Sequence, residues 1–299
     1  GGGGGHGWAA ARAARGLSLD MWRGLCVGPV GAGVWRGELV ERWGMDVPPV
    51  LAGGAGDNAA GAVGLGAVRP GDAFVSLGTS GVVWATTDRF RPGPRAAIHA
   101  FCHAVPGMWH QMGVTLSAAS SLAWWASVVG RSEAELLAEL PEVVARPSGL
   151  LFLPYLSGER TPHNDAGIRG AFIGLERSTI RAQMTQAVLE GVAFSLRDAL
   201  DGLAGAGSVL EQADVIGGGS RSATWLGILA SVMGIRLHRL AHGEQGGAFG
   251  AARLARLAVT GEDVAAVCLP PERVETIAPD DALQAAYGAV LPRYRALYP

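Results

Sequence analysis

The chain predicts an α/β layered domain, on three observations. Its first half carries paired strand-like runs, its second half alternates strand and helix patterns, and glycine-rich turns punctuate the junctions. Over 299 residues there is length for one large domain or two small ones with a sizeable core. Glycine, at 46 residues, is roughly twice its usual share.

The elements follow in order. Residues 1–5 are a glycine run with nothing to pack, and disorder is expected there. From Leu17 to Trp43 short helical patches alternate with Gly/Pro breaks, and Pro49 to Ala52 reads as a strand. It enters the bend Gly53-Gly54-Ala55-Gly56-Asp57-Asn58, and a helix follows through Asn58 to Leu65. Residues 73–77 and 82–85 are strand-like runs around Gly78-Thr79-Ser80-Gly81, which predicts a hairpin. A second strand pair is expected near 97–104 and 108–112, then a helix from Val114 to Val129. Leu150 to Leu153 reads as a buried strand. The longest helix is placed at 178–202, with Ile180, Met184, Val188 and Leu196 on one stripe. The remainder reads as a strand at Val215-Ile216, the turn Gly217-Gly218-Gly219-Ser220, a helix from Ala223 to Met233, a strand from Ile235 to Leu240, a helix after Gly247 and a last helix near 282–297.

Composition removes several chemistries. All 24 basic residues are arginine, and a chain without lysine has no Walker A loop, no protein-kinase lysine and no Schiff-base chemistry. A phosphate site here has backbone N–H groups, hydroxyls, arginine and a metal ion to work with. The net charge of −2 gives no electrostatic reason to expect nucleic acid or an anionic membrane as partner. No apolar run reaches a membrane span, and no signal peptide opens the sequence. Cys26, Cys102 and Cys268 are odd in number and scattered, which favours a reducing cytoplasm.

Asp57 is the first candidate for chemistry. A carboxylate in a bend with few side chains suits a base that takes a proton from a hydroxyl beside a phosphate, and it equally suits an acid satisfying turn amides. The local sequence leaves both open. Gly78-Thr79-Ser80-Gly81 offers consecutive N–H groups and two hydroxyls, an anion-binding concavity or an ordinary tight turn. Gly217-Gly218-Gly219 follows a strand and precedes a helix, as a nucleotide turn would, but lacks the Gly-x-Gly-x-x-Gly spacing. His99, Cys102, His103 and His110 match no familiar zinc spacing, so a structural role is favoured. Trp84, Trp109, Trp124 and Trp125 read as core or pocket wall.

Taken together, these stretches resemble the FGGY family of carbohydrate kinases. The resemblance rests on 53–64, 74–81 and 112–125, on Tyr155-Leu156-Ser157-Gly158-Glu159-Arg160-Thr161-Pro162-His163-Asn164, on Gly170 through Glu190, and on Gly217 to Ser222. It implies an actin-like ATPase (ribonuclease H-like) fold, of which this chain is mainly the C-terminal lobe. Residues 1–66 would be a remnant of the N-terminal lobe carrying the base, and 67–299 the nucleotide-binding lobe.

The resemblance further implies ATP with Mg²⁺, and D-xylulose as the sugar. Asp57 would be the catalytic base, with Asn58 beside it at the substrate. Gly78, Thr79 and Ser80 would meet the phosphates, Ala119 the nucleotide, and Gly218, Gly219 and Ala223 the adenosine. Expected partners are the sugar and ATP, without nucleic acid or membrane, and a homodimer is allowed. The family's first phosphate loop has no counterpart here, so this chain is expected to hold the base and half the nucleotide site. A sibling sugar (ribulose, gluconate, glycerol) and a non-catalytic remnant that binds nucleotide or a protein are the alternatives.

Overall fold

The computed structural model describes residues 28–241 and 246–298. The expected glycine-run disorder at 1–5 and the helical patches before residue 28 lie outside the described residues. The chain enters through a two-stranded antiparallel ribbon, β1 (Gly31–Val34) and β2 (Val50–Ala52), with the short helix α1 (Gly37–Arg42) between them. Helix α2 (Asp57–Gly64) follows at once.

The centre is a seven-stranded mixed sheet. Its strands are β3 (Ala73–Leu77), β4 (Gly81–Thr87), β5 (His99–Cys102), β6 (Trp109–Thr115), β9 (Gln212–Ile216), β10 (Arg236–Leu240) and β11 (Arg273–Ile277), in the order β11-β10-β9-β3-β4-β6-β5. β3 and β4 form the predicted hairpin, with Leu77 opposite Gly81. β9 is parallel to both β3 and β10, so the C-terminal ends of all three share one edge of the sheet. The glycine turns after β3 and after β9 therefore sit side by side. A small second ribbon, β7 (Leu151–Leu153) with β8 (Ala171–Ile173), lies apart from this sheet.

Side-chain alternation along the strands serves two faces, because successive residues of a strand point to opposite sides. Val75, Leu77, Val83 and Ala85 enter one apolar cluster, while Phe74, Val82 and Trp84 enter another. With both faces covered, the strands read as nearly continuous apolar runs. The first face is covered by α5 (Arg181–Gly205), about 37 Å long, together with α3 (Ala119–Val129), α6 (Ala223–Met233) and α9 (Asp281–Arg295). The opposite face carries α2 and α7 (Gly246–Thr260).

The helix expected from Val114 starts later, at Ala119, because β6 continues through Val114 and Thr115 in register with Val82 and Gly81. Strand β1, within the stretch read as helical patches, helix α4 (Glu133–Ala138), strand β8, the short helix α8 (Val264–Val267) and edge strand β11 were not foreseen. Among the described residues no helix is long and apolar enough to cross a membrane.

Candidate active site

Two glycine turns meet at the C-terminal edge of the sheet. Gly217 has φ +89°, and a Cβ there would lie 2.7 Å from the carbonyl carbon of Leu77 and 3.0 Å from the amide nitrogen of Gly78. The two backbones touch, which only a glycine at this position permits. Beyond Gly217 the chain makes a 3₁₀ turn, Gly218–Arg221, stitched by Ser220 donating from N and Oγ to the Gly217 carbonyl at 3.1 and 2.7 Å. Ser222 then caps α6 by accepting from the Trp225 amide. Gly218 and Ala223 are exposed, and Ala223 lines a cavity of about 290 Å³ with Thr224, Gly227, Val143 and Glu275.

The hairpin turn is fastened through its carbonyls. Ala119 N–H donates to Gly78 O at 2.8 Å, Ala118 N–H to Thr79 O at 2.9 Å, and Ser120 Oγ to Thr79 O at 2.7 Å. The N–H groups of Gly78, Thr79 and Ser80 have no hydrogen-bond partner among the described residues. Thr79 and Ser80 are exposed. Successive free N–H groups in a turn form a concavity for an anion. Gly78, Thr79, Ser80, Ala119, Gly218 and Gly219 thus gather at one edge. Ala118 and Ser120 were missed as fasteners of the turn. The small residues after β6 were their one signal.

Asp57 is exposed in the first turn of α2, and its Oδ1 accepts from the Asn58 amide at 2.7 Å and from Asn58 Nδ2 at 3.4 Å. It has no ion-pair partner among the described residues. What places it is α7. A Cβ on Gly250 would lie 1.7 Å from Ala60 O, one on Gly64 would lie 2.5 Å from Gly246 O, and one on Gly247 would reach 3.5 Å from Asp57 O. Arg253 Nη1 donates to the Val63 and Gly64 carbonyls, closing the end of α2 onto α7. Helix α7 starts a few residues after β10 ends, so its first turn lies at the same edge as the two glycine turns. The signal for this crossing was Ala60/Gly64 against Gly246/Gly250, small residues at helical spacing.

The segment 155–165 is held from the interior. Glu159 is 1% exposed and accepts from the amides of Leu116 (2.8 Å) and Arg160 (2.7 Å) and from Ser195 Oγ (3.2 Å). Burial, only partly offset by those donors, pushes its carboxyl up to about 7. Tyr155 O–H and His163 Nε2 are 3.0 Å apart, and Tyr294 donates to Tyr155. On α5, Glu190 accepts from Ser148 N and Oγ, from Gln186 Nε2 one turn earlier and from Tyr287 O–H, which ties two other segments to the helix.

His103 and His110 lie on the opposite face, beside Trp84. His103 and His110 have ring centroids 6.2 Å apart, and His110 stacks on Trp84 at 3.8 Å. Cys102 is exposed on the edge strand. Among the described residues no group of three or more His, Cys, Asp or Glu side chains could hold a metal ion. Trp84 and Trp125 are core, while Trp124 lies half-exposed against Phe152 and Phe172.

Comparison with known proteins identifies the family and the fold. Residues 73–259 match the model for the C-terminal domain of the FGGY family of carbohydrate kinases. The xylulose kinase of Escherichia coli K12 is 42% identical over 284 residues, 94% of this chain and 58% of the relative. A xyloylose kinase structure from Brucella ovis superposes with a TM-score of 0.86 at 51% identity, over 91% of this chain and 56% of the other. The xylulose kinase of Rhodospirillum rubrum gives 0.79 at 30% identity, over 90% and 55%. The chain spans a little over half the length of these relatives. The fold is the actin-like ATPase fold of the sugar kinases, and the chain belongs to the FGGY family of carbohydrate kinases.

Proposed function

We propose that this chain is the nucleotide-binding part of an ATP-dependent sugar kinase that converts D-xylulose to D-xylulose 5-phosphate. The single observation that carries the reading is the pair of touching glycine turns, with free N–H groups at 78–80, at the sheet edge where α7 also places Asp57. In this reading Gly78, Thr79 and Ser80 cradle the phosphates, Ala119 borders the nucleotide, and Gly218, Gly219 and Ala223 take the adenosine. Asp57 accepts the proton of the sugar C5 hydroxyl, with Asn58 beside it. The C5 oxygen bonds to the γ-phosphorus, the bond from that phosphorus to the β,γ-bridging oxygen breaks, and ADP leaves. The division of the chain near residue 66, with Asp57 on the sugar side and the glycine turns on the nucleotide side, belongs to the same reading.

Mg²⁺ would travel with the nucleotide and neutralise its phosphate charge. An ion held mainly by phosphates and water suits a site without a three-ligand protein cage among the described residues. D-xylulose is favoured because the relatives above are named for it. Since the chain covers 58% of its E. coli relative, the expectation for the isolated chain is nucleotide binding without turnover. Coupled ADP release, measured on the protein at its natural full length with D-xylulose, ribulose, gluconate and glycerol, tests the assignment. Turnover confined to D-xylulose is expected. Preference for another sugar would move the assignment within the family, and no sugar-dependent ADP release would remove it.

A further inference from the structure

The phosphate turn supplies N–H dipoles and hydroxyls but no full positive charge, and the carboxylate at the same edge is negative. In phosphoryl transfer, charge on the migrating group is met by a cation as well as by dipoles. With no lysine in the chain, that cation is an arginine or a metal ion.

Arg160 is mounted for this task. β6 runs in the same direction as β3, and Gly81 pairs with both Leu77 and Thr115, so the end of β6 adjoins the phosphate turn. The segment 159–161 lies beside that end. Thr161 N–H donates to Val114 O at 3.0 Å, Thr161 Oγ1 accepts from Val114 N–H at 2.9 Å, and Glu159 takes the amides of Leu116 and Arg160. Both neighbours of Arg160 are thus fixed in the interior, whereas Arg160 itself is exposed and has no ion-pair or side-chain hydrogen-bond partner among the described residues. A long, exposed cation held by its backbone and making no ion pair among the described residues is poorly explained by stability alone.

Glu159 turns inward to Ser195 on α5, whereas Arg160 stays at the surface. Burial first, and the Arg160 charge second, hold the His99 imidazole below its ordinary range. The segment that carries Arg160 adjoins the phosphate turn through the link after β6, where Glu159 holds the Leu116 amide and the Ala118 amide donates to Thr79 O.

We propose that Arg160 is a phosphate-contacting residue whose guanidinium meets the terminal phosphoryl group of the bound nucleoside triphosphate. A planar, permanently charged fork suits that role, since it can hold two phosphoryl oxygens at once. The inference rests on the kinase reading above.

The test is calorimetric titration of this chain with the β,γ-imido analogue of ATP and, separately, with ADP, each with Mg²⁺. Arg160→Gln should weaken the triphosphate analogue about tenfold or more, as loss of a charge-assisted contact does, and leave ADP nearly unchanged. Arg160→Lys should restore part of the loss, and the melting temperature should not move, because the side chain has no structural partner. Equal weakening of both nucleotides, or of neither, would overturn the proposal. If the unsubstituted chain bound neither nucleotide, the kinase reading itself would fall and take this inference with it.

Discussion

The two faces of the central sheet are closed by different means. On one, α5 presents Val188, Leu189, Val192, Phe194, Leu196 and Leu203, all at most 2% exposed, against Val75, Leu77 and Val83 of the sheet. There, close-packed side chains provide the binding, and losing one leaves a cavity that neighbours can partly fill. On the other, α2 and α7 meet backbone to backbone through Ala60, Gly64, Gly246 and Gly250. Nothing flexible lies between them, so their separation is set within a few tenths of an ångström. The α5 face is closed by side-chain packing. The α2–α7 face sets position, and Asp57 stands at the first turn of α2.

The largest expected effect breaks the close contact. Gly250→Val places its first side-chain carbon on the Ala60 carbonyl, and the helices must part. A loss of about 4 kcal/mol is expected in urea unfolding. Gly61→Ala, in α2 and with nothing within 4 Å of the new Cβ among the described residues, should instead stabilise by about 0.5 kcal/mol. If Gly250→Val were tolerated, the backbone contact would not be what holds α2. On the other face, Leu196→Ala should cost about 3 kcal/mol by cavity formation, with the glycine turns left in place.

A smaller contrast lies in pH. Glu159, on the α5 face, is raised by burial from 4.5 to about 7, so its contribution to stability is fully present below pH 4.5 and is lost as pH rises through about 7. His110, on the α2 face, is lowered from 6.5 to about 3 by burial, with repulsion from His103 and His99 adding to it. Its contribution is present above pH 6.5 and fades as pH falls toward 3. The two slopes oppose each other between pH 4.5 and 6.5, each amounting to at most about 1.4 kcal/mol per pH unit. Melting temperatures across that window should fall more steeply on acidification in Glu159→Gln and less steeply in His110→Phe. Both ring nitrogens of His110 are buried without a hydrogen-bond partner, so His110→Phe should also gain about 1 kcal/mol at pH 7. Parallel profiles in all three proteins would mean that neither group titrates as its surroundings require.

The same contrast explains what was legible in the sequence. Alternating apolar residues around Gly78-Thr79-Ser80-Gly81 gave away the hairpin, because strand periodicity and turn chemistry are local. Helix α6 began and ended where Ala223 and Met233 were expected, since Ser222 caps one end and Gly234, in the left-handed region, closes the other. Strand β11, Arg-Val-Glu-Thr-Ile after two prolines, carries charges suited to a sheet edge and shows little apolar signal. Helix α4 did carry a signal that went unread, the capping box of Ser132 and Glu135. The turns of the site were visible as glycines. Their contact with each other, and that of α2 with α7, depends on chain distant in sequence, which no local pattern reports. The role of Glu159 was hidden for the same reason, because its partners Leu116, just past β6, and Ser195, on α5, are distant in sequence.

The most direct test of the account is D-xylulose-dependent turnover by Asp57→Asn in the protein at its natural full length. The substitution keeps the size and the exposed position of the side chain while removing its ability to take a proton. A fall in kcat of about a thousandfold with KM for both substrates nearly unchanged is expected for loss of a general base. Turnover retained within a few-fold of the unsubstituted enzyme would contradict the assignment of Asp57 and, with it, the reason for its placement by α7.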